Sequence, residues 1–228
     1  MKREFYLIIF FLLLQNLFAQ NLEITGKEVG CDFRGEYSRS LIYSIGFAGT
    51  GAIELNDMYT FKAGLSLGGT GDSFDIKVFT QGQIGPLVNI LNFSLSYIYN
   101  GLSAYEYHTH TLLPVVSVCG HWVGISTGSG LRFTRFFGET TLFESILSFS
   151  GYVNFINNEK IVIGMKIANF SNFHVGNMGS YSYTFNSLIH LNDQWAIIND
   201  LEFLQTGSIG LAASFYGIVY KGGVRFTW

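Results

Sequence analysis

Along most of this chain large apolar residues recur at every second position, and the positions between them carry glycine, serine or asparagine rather than lysine or glutamate. Leu41, Tyr43, Ile45 and Phe47 alternate with Ile42, Ser44, Gly46 and Ala48; Phe61, Ala63, Leu65 and Leu67 alternate with Lys62, Gly64, Ser66 and Gly68. Leu91, Phe93, Leu95, Tyr97 and Tyr99 stand against Asn92, Ser94, Ser96, Ile98 and Asn100. Val123, Ile125, Leu131 and Phe133 stand against Gly124, Ser126, Gly128, Gly130 and Arg132. A period of two is that of a β-strand, whose successive side chains point to opposite faces. Further runs near 73–84, 108–119, 142–155, 160–170, 180–191, 194–204 and 207–228 are separated by turn signals at Gly71-Asp72, Asn157-Asn158, Asn192-Asp193 and Thr206-Gly207.

The chemistry of the two faces decides between architectures. A soluble β-sandwich also alternates, but its outward face carries many lysines and glutamates. Here an aromatic and aliphatic face lies opposite a small, polar one, as lipid outside and polar groups inside require. Apolar residues make up 48% of the chain and charged residues 13%, yet beyond the leader no apolar run approaches the length of a membrane helix. Backbone polar groups inside a bilayer must all be paired, so such strands close into a barrel rather than end in open edges. The 22 phenylalanines and 13 tyrosines suit strands, and the 2 prolines are few enough to leave the ladders intact. The expectation is an all-β, transmembrane, antiparallel up-and-down barrel of about ten to twelve strands. Tyr37, Tyr43, Tyr59, Tyr97, Tyr99, Trp122, Tyr181, Tyr183, Trp195 and Trp228 cluster near segment ends, where an interfacial aromatic girdle belongs.

Both ends of the chain fit a secreted membrane barrel. Lys2 and Arg3 precede the apolar run Phe5 to Leu14, and Leu17-Phe18-Ala19 offers a cleavage site, so residues 1–19 read as a signal peptide and 20–228 as one barrel domain. At the other end Tyr220, Val224, Phe226 and Trp228 fall on one face, while Lys221, Arg225 and Thr227 fall on the other. These last residues resemble the C-terminal signature strand of bacterial outer-membrane β-barrel proteins. The resemblance implies an outer-membrane location, contact with outer-membrane lipid, and Tyr220, Val224, Phe226 and Trp228 as a signal to the barrel assembly machinery.

Parity gives a strand count, because such barrels usually have an even number of strands, both termini at one side and short turns there. Taking 208–228 as one long strand with a bulge near Gly217 puts connections 101–107, 135–141 and 171–179 outside, with short turns at 119–121, 156–159 and 192–193. An N-terminal strand within 21–33 then makes twelve. Connection 49–57 is too long for its assigned side. Whether a stretch such as 21–36 plugs the lumen stays open.

The interior positions include Lys62, Asp75, Lys77, Arg132, Glu144, Lys166, His190, Asp200, Glu202, Lys221 and Arg225. Charges of both signs pointing into a narrow barrel either pair with one another or line a narrow pore, since wide porin channels need more strands. The net charge of −3 gives no footprint for nucleic acid, and no cofactor is implied. Cys31 and Cys119 would meet an oxidising periplasm and could pair. His108 and His110 share one face of a strand, but no third ligand accompanies them.

One phrase is enzyme-like. Asn169-Phe170-Ser171-Asn172, followed by Phe185-Asn186, resembles a degenerate form of the His-x-Ser-Asn phrase of outer-membrane phospholipase A and lipid A deacylases. In those families the His activates the serine. Asn169 occupies the His position and cannot act as a base, so Ser171 needs His174 or His190 from another geometry. The sequence therefore favours a non-enzymatic barrel, either a narrow small-solute channel or a structural, surface barrel with a salt-bridged lumen. A lipid-modifying hydrolase around Ser171 is the alternative, and the oligomeric state is undetermined.

Overall fold

The computed structural model describes residues 24–38, 43–70, 73–87, 90–102, 107–136, 140–176, 178–207 and 214–228. The signal peptide expected over 1–19 and the turn expected at Gly71-Asp72 lie outside the described residues.

Alternation produces strands. They are β1 (Ile24–Ser38), β2 (Tyr43–Leu55), β3 (Tyr59–Thr70), β4 (Ser73–Leu87), β5 (Leu91–Leu102), β6 (Tyr107–Cys119) and β7 (Val123–Phe136). The chain continues through β8 (Thr140–Asn157), β9 (Ile161–Ala168), the short β10 (Phe170–Ser171) and β11 (His174–Val175), then β12 (Ser180–His190), β13 (Trp195–Thr206) and β14 (Ser214–Thr227). Each long strand pairs antiparallel with its sequence neighbour, β9 with β12 across the short pair, and β14 returns to β1. The result is a closed barrel of twelve strands. Closure leaves no unpaired strand edge, so the ladder groups are paired inside the wall itself.

The faces fall as the alternation required. Outward Ile45, Phe47, Phe61 and Ile125 are 59%, 62%, 52% and 67% exposed, whereas inward Phe79, Ile98 and Leu113 are almost wholly buried. In a membrane the first group meets lipid, and water would not tolerate so broad an apolar belt. Trp122, Trp195 and Trp228 mark the rim that carries both chain ends. There Trp195, Phe226 and Trp228 form a ring cluster with centroids 4.7 and 5.2 Å apart. Tyr97 and Tyr99 mark the opposite rim, where their hydroxyls meet Nδ1 of His110 and His108 at 2.8 and 2.9 Å. The two imidazoles expected on one strand face are thus paired with tyrosines on the outer wall. Tyr181 departs from the girdle: it is buried against Phe149 and Tyr183. The side chain of Tyr43 lies outside the described residues.

The turns at the rim of the chain ends are short for local reasons. Asn158 Oδ1 accepts from the backbone N–H of Lys160 and Ile161, and Asn192 Oδ1 from those of Gln194 and Trp195. An Asn side chain replaces the missing ladder bonds in each turn. The awkward connection 49–57 resolves differently: β2 runs on to Leu55, and only Asn56-Asp57-Met58 turns, with φ of 51° at Asn56 and 53° at Asp57. The N-terminal strand also runs further than 21–33, to Ser38. Residues 24–38 are therefore wall and not plug. The register slips between Leu204/Gln205 as β13 faces β14, leaving Tyr216 as the extra residue beside Gly217. Cys31 and Cys119 are both free, the first on the outer face of β1 and the second on β6, so they do not pair.

Candidate functional site

Two neighbouring arcs of the inner wall differ in chemistry. On β4, β5, β6 and β8 the inward residues include Phe79, Ile98, Leu113, Val115 and Ile146, an apolar patch inside a barrel that is otherwise polar within. Apolar groups facing lumen water are costly, and the chain covers them with itself. The connection from β9 to β12 folds inward as the β10–β11 hairpin, whose Val175 joins that patch while Phe170 and Phe173 pack on it. Phe173 meets Phe79 edge to face at 5.0 Å. Gly64 on β3 makes this possible, because a Cβ there would lie 2.5 Å from the Phe79 ring and 3.0 Å from that of Phe173.

Polar bonds fix the hairpin at its root and tip. Asn169 Oδ1 accepts from Phe149 N–H at 2.7 Å, and its Nδ2 donates to the carbonyls of Leu147 at 2.8 Å and Gly176 at 3.3 Å. Asn169 is thus a clamp at the hairpin's base, a role that sequence comparison with hydrolases could not suggest. Arg132 forms an ion pair with Glu144 at 2.9 Å and also donates to the carbonyl of Val175, so one guanidinium ties the wall to the hairpin.

Against the hairpin's other side lies a polar cavity of about 290 Å³. Its charged lining comprises Asp32 and Arg34 from β1, Lys166 from β9, Asp200 and Glu202 from β13, and Lys221 and Arg225 from β14. Several of these close on neighbours: Lys221 with Glu202 at 2.8 Å, Arg34 with Glu36 at 2.8 Å and Arg225 with Glu28 at 3.1 Å. Lys77 pairs with Asp75 at 2.9 Å. Lys62 holds its register between Ala52 and Gln81 and makes no ion pair among the described residues. Lys166 lies with its ammonium 5.7 Å from the Phe170 ring. Arg34 and Glu36 lie beyond the strand expected within 21–33, and Asp32, though within it, is not among the interior positions expected from the alternation. Phe79 and its partners were missed because apolar inward residues look like lapses in a polar face.

Ser171 pairs in register with His174 across the hairpin. The recess that both line with Glu202 is about 30 Å³, room for about one water molecule, while Ser171 also lines the 290 Å³ cavity, which His174 does not. Asn186 stands on β12 opposite Gly164 and Asp200 and lines the larger cavity. His174 keeps contact with lumen water, yet loss of bulk solvent, then Lys77 and Arg34, outweigh Glu202 and lower its pKa to about 4.

No protein-family model matches the sequence, and no curated protein does. Solved structures match the fold. The NanC porin is 11% identical with a TM-score of 0.59, covering 86% of this chain and 98% of its own. The KdgM porin bound to disordered oligogalacturonate is 8% identical with a TM-score of 0.55 and the same coverages. An outer-membrane channel from Pseudomonas putida F1 is 9% identical with a TM-score of 0.53, covering 91% and 96%. At such identities the likeness is one of architecture, that of bacterial outer-membrane barrels.

Proposed function

We propose that this outer-membrane barrel is a narrow, non-enzymatic channel for small polar solutes, with the β10–β11 hairpin as its constriction. The observation that carries this reading is the division of the lumen. The hairpin covers the apolar arc and leaves a polar cavity of about 290 Å³ on its other side. Here Lys77, Arg132, Lys221 and Arg225 are paired, but Lys166, Asp32 and Asp200 face the passage without an ion pair among the described residues. The architecture shared with porins and channels supports the same reading.

The test is single-channel recording on the refolded chain 20–228 and on a variant in which 170–175 is replaced by a short glycine linker. The expected result is small, discrete steps for the first and steps several-fold larger for the second, since conductance follows the open cross-section. Silence from both would overturn the channel.

A further inference from the structure

Resting on the channel reading, we infer that the passage selects small zwitterions, solutes of amino-acid size that carry an ammonium and a carboxylate. The argument begins with the charges left over once the pairs are taken out. Glu202 holds Lys221, Glu36 holds Arg34 and Glu28 holds Arg225. One ammonium, Lys166, and two carboxylates, Asp32 and Asp200, remain around the same passage. Asp32 Oδ1 is buried and has no hydrogen-bond partner among the described residues. A buried carboxylate oxygen with an empty acceptor position is costly, and an arriving N–H donor relieves that cost.

The register sets these groups at successive depths. In the ladder Lys166 lies opposite Thr184, which lies opposite Glu202; Asp200 is two residues further along β13 and its backbone lies opposite that of Lys221, itself opposite Arg34. Asp32 is two residues beyond Arg34 on β1. Two residues of strand advance about 7 Å. Lys166 and Asp200 stand one such step apart along the strands and two strands, about 9–10 Å, apart across the wall, so a solute with its carboxylate near Lys166 and its ammonium toward Asp200 bridges between inward side chains of β9 and β13, and one step further along the register it finds Asp32. A lone anion meets attraction at Lys166 and then repulsion from both aspartates, and a lone cation meets the reverse. A dipolar solute is complemented at both ends. The volume of about 290 Å³ admits a molecule of that size. The Phe170 ring beneath the Lys166 ammonium ties this station to the constricting hairpin.

Liposome swelling tests this, with β-alanine and 4-aminobutyrate as zwitterions, glycerol and erythritol as neutral solutes of similar size, and propionate and propylammonium as single charges. The expected result is zwitterion entry about threefold or more faster than neutral entry, a gap worth under 1 kcal/mol, with both single-charge solutes slower. The triple variant Lys166→Met, Asp32→Asn, Asp200→Asn is expected to pass glycerol as before and lose the zwitterion preference, so glycerol entry reports that the barrel has folded. Entry ordered by size alone, with the wild-type and triple variant alike, overturns zwitterion selection and leaves the channel standing. Entry of no solute overturns both.

Discussion

Arg132 does two jobs with one planar group, and its replacement tests the latch. It pairs with Glu144 and donates to the Val175 carbonyl, so Arg132→Ala leaves the wall intact and frees the hairpin on one side. A hydrogen bond from a charged donor is worth about 1.5–3 kcal/mol, enough to raise the undocked population about tenfold or more. Single-channel records of Arg132→Ala should show frequent excursions to a larger level. Arg132→Lys should behave like the alanine variant, because a point ammonium lacks the fork that serves both acceptors. Ser171 is the contrasting residue. It lines the passage, but the space beside it and His174 holds about one water molecule. Ser171→Ala should leave conductance unchanged, and phospholipid hydrolysis measured on purified barrel should not differ between the two proteins. Asn169 shows where sequence reading reaches its end: its amide suggested a lost catalytic base, whereas its three bonds to Phe149, Leu147 and Gly176 are made by tertiary folding alone.

The wall strands were legible because lipid imposes a period of two on every one of them, and the turns because Asn158 and Asn192 supply their own backbone acceptors. The hairpin was not. Its aromatic residues, Phe170 and Phe173, sit in a connection, and their partners Phe79, Ile98, Leu113 and Ile146 lie on separate strands far apart in sequence. Each alone is one apolar residue on a polar face; only closure of the barrel gathers them into a patch. The signal available in retrospect is that these exceptions occur in consecutive strands β4, β5 and β6 and again in β8. The hairpin also carries a proton-sensitive group. His174 has a pKa lowered from 6.5 to about 4 where it sits, by loss of bulk solvent inside the barrel and then by Lys77 and Arg34. The docked hairpin therefore binds fewer protons than an undocked one, so docking is strongest above about pH 6.5 and weakens as the pH falls toward 4. Mean current should rise on acidification across that window, and His174→Gln should flatten the response. A flat wild-type profile would mean that lumen water screens the ring from those cations.

Closure of the whole molecule depends on a seam between the first and last strands, the pairing most remote in sequence. Pairing of every backbone group in the bilayer required the barrel to close, and β1 and β14 pair from Glu28 opposite Thr227 to Ser38 opposite Gly217. Trp228 extends the seam beyond that ladder: Lys27 N–H donates to the Trp228 carbonyl at 3.2 Å, and Trp228 N–H donates to the Lys27 carbonyl at 3.0 Å. Its ring stacks on Phe226 at 5.2 Å and lies 6.0 Å from the Lys27 ammonium. Backbone and ring thus have separable duties. Trp228→Ala keeps both seam bonds and removes the aromatic group, while deletion of residue 228 removes both. If the ring is the mark that assembly recognises, Trp228→Ala should lower the yield of folded barrel in cells, yet once refolded from urea it should unfold near the wild-type temperature. Deletion should lower cellular yield equally and also reduce the temperature at which the barrel loses its fast, compact gel mobility, because two main-chain groups at the rim lose their partners. Equal cellular yields for the wild type and Trp228→Ala would confine Trp228 to the seam and take the terminal aromatic out of assembly.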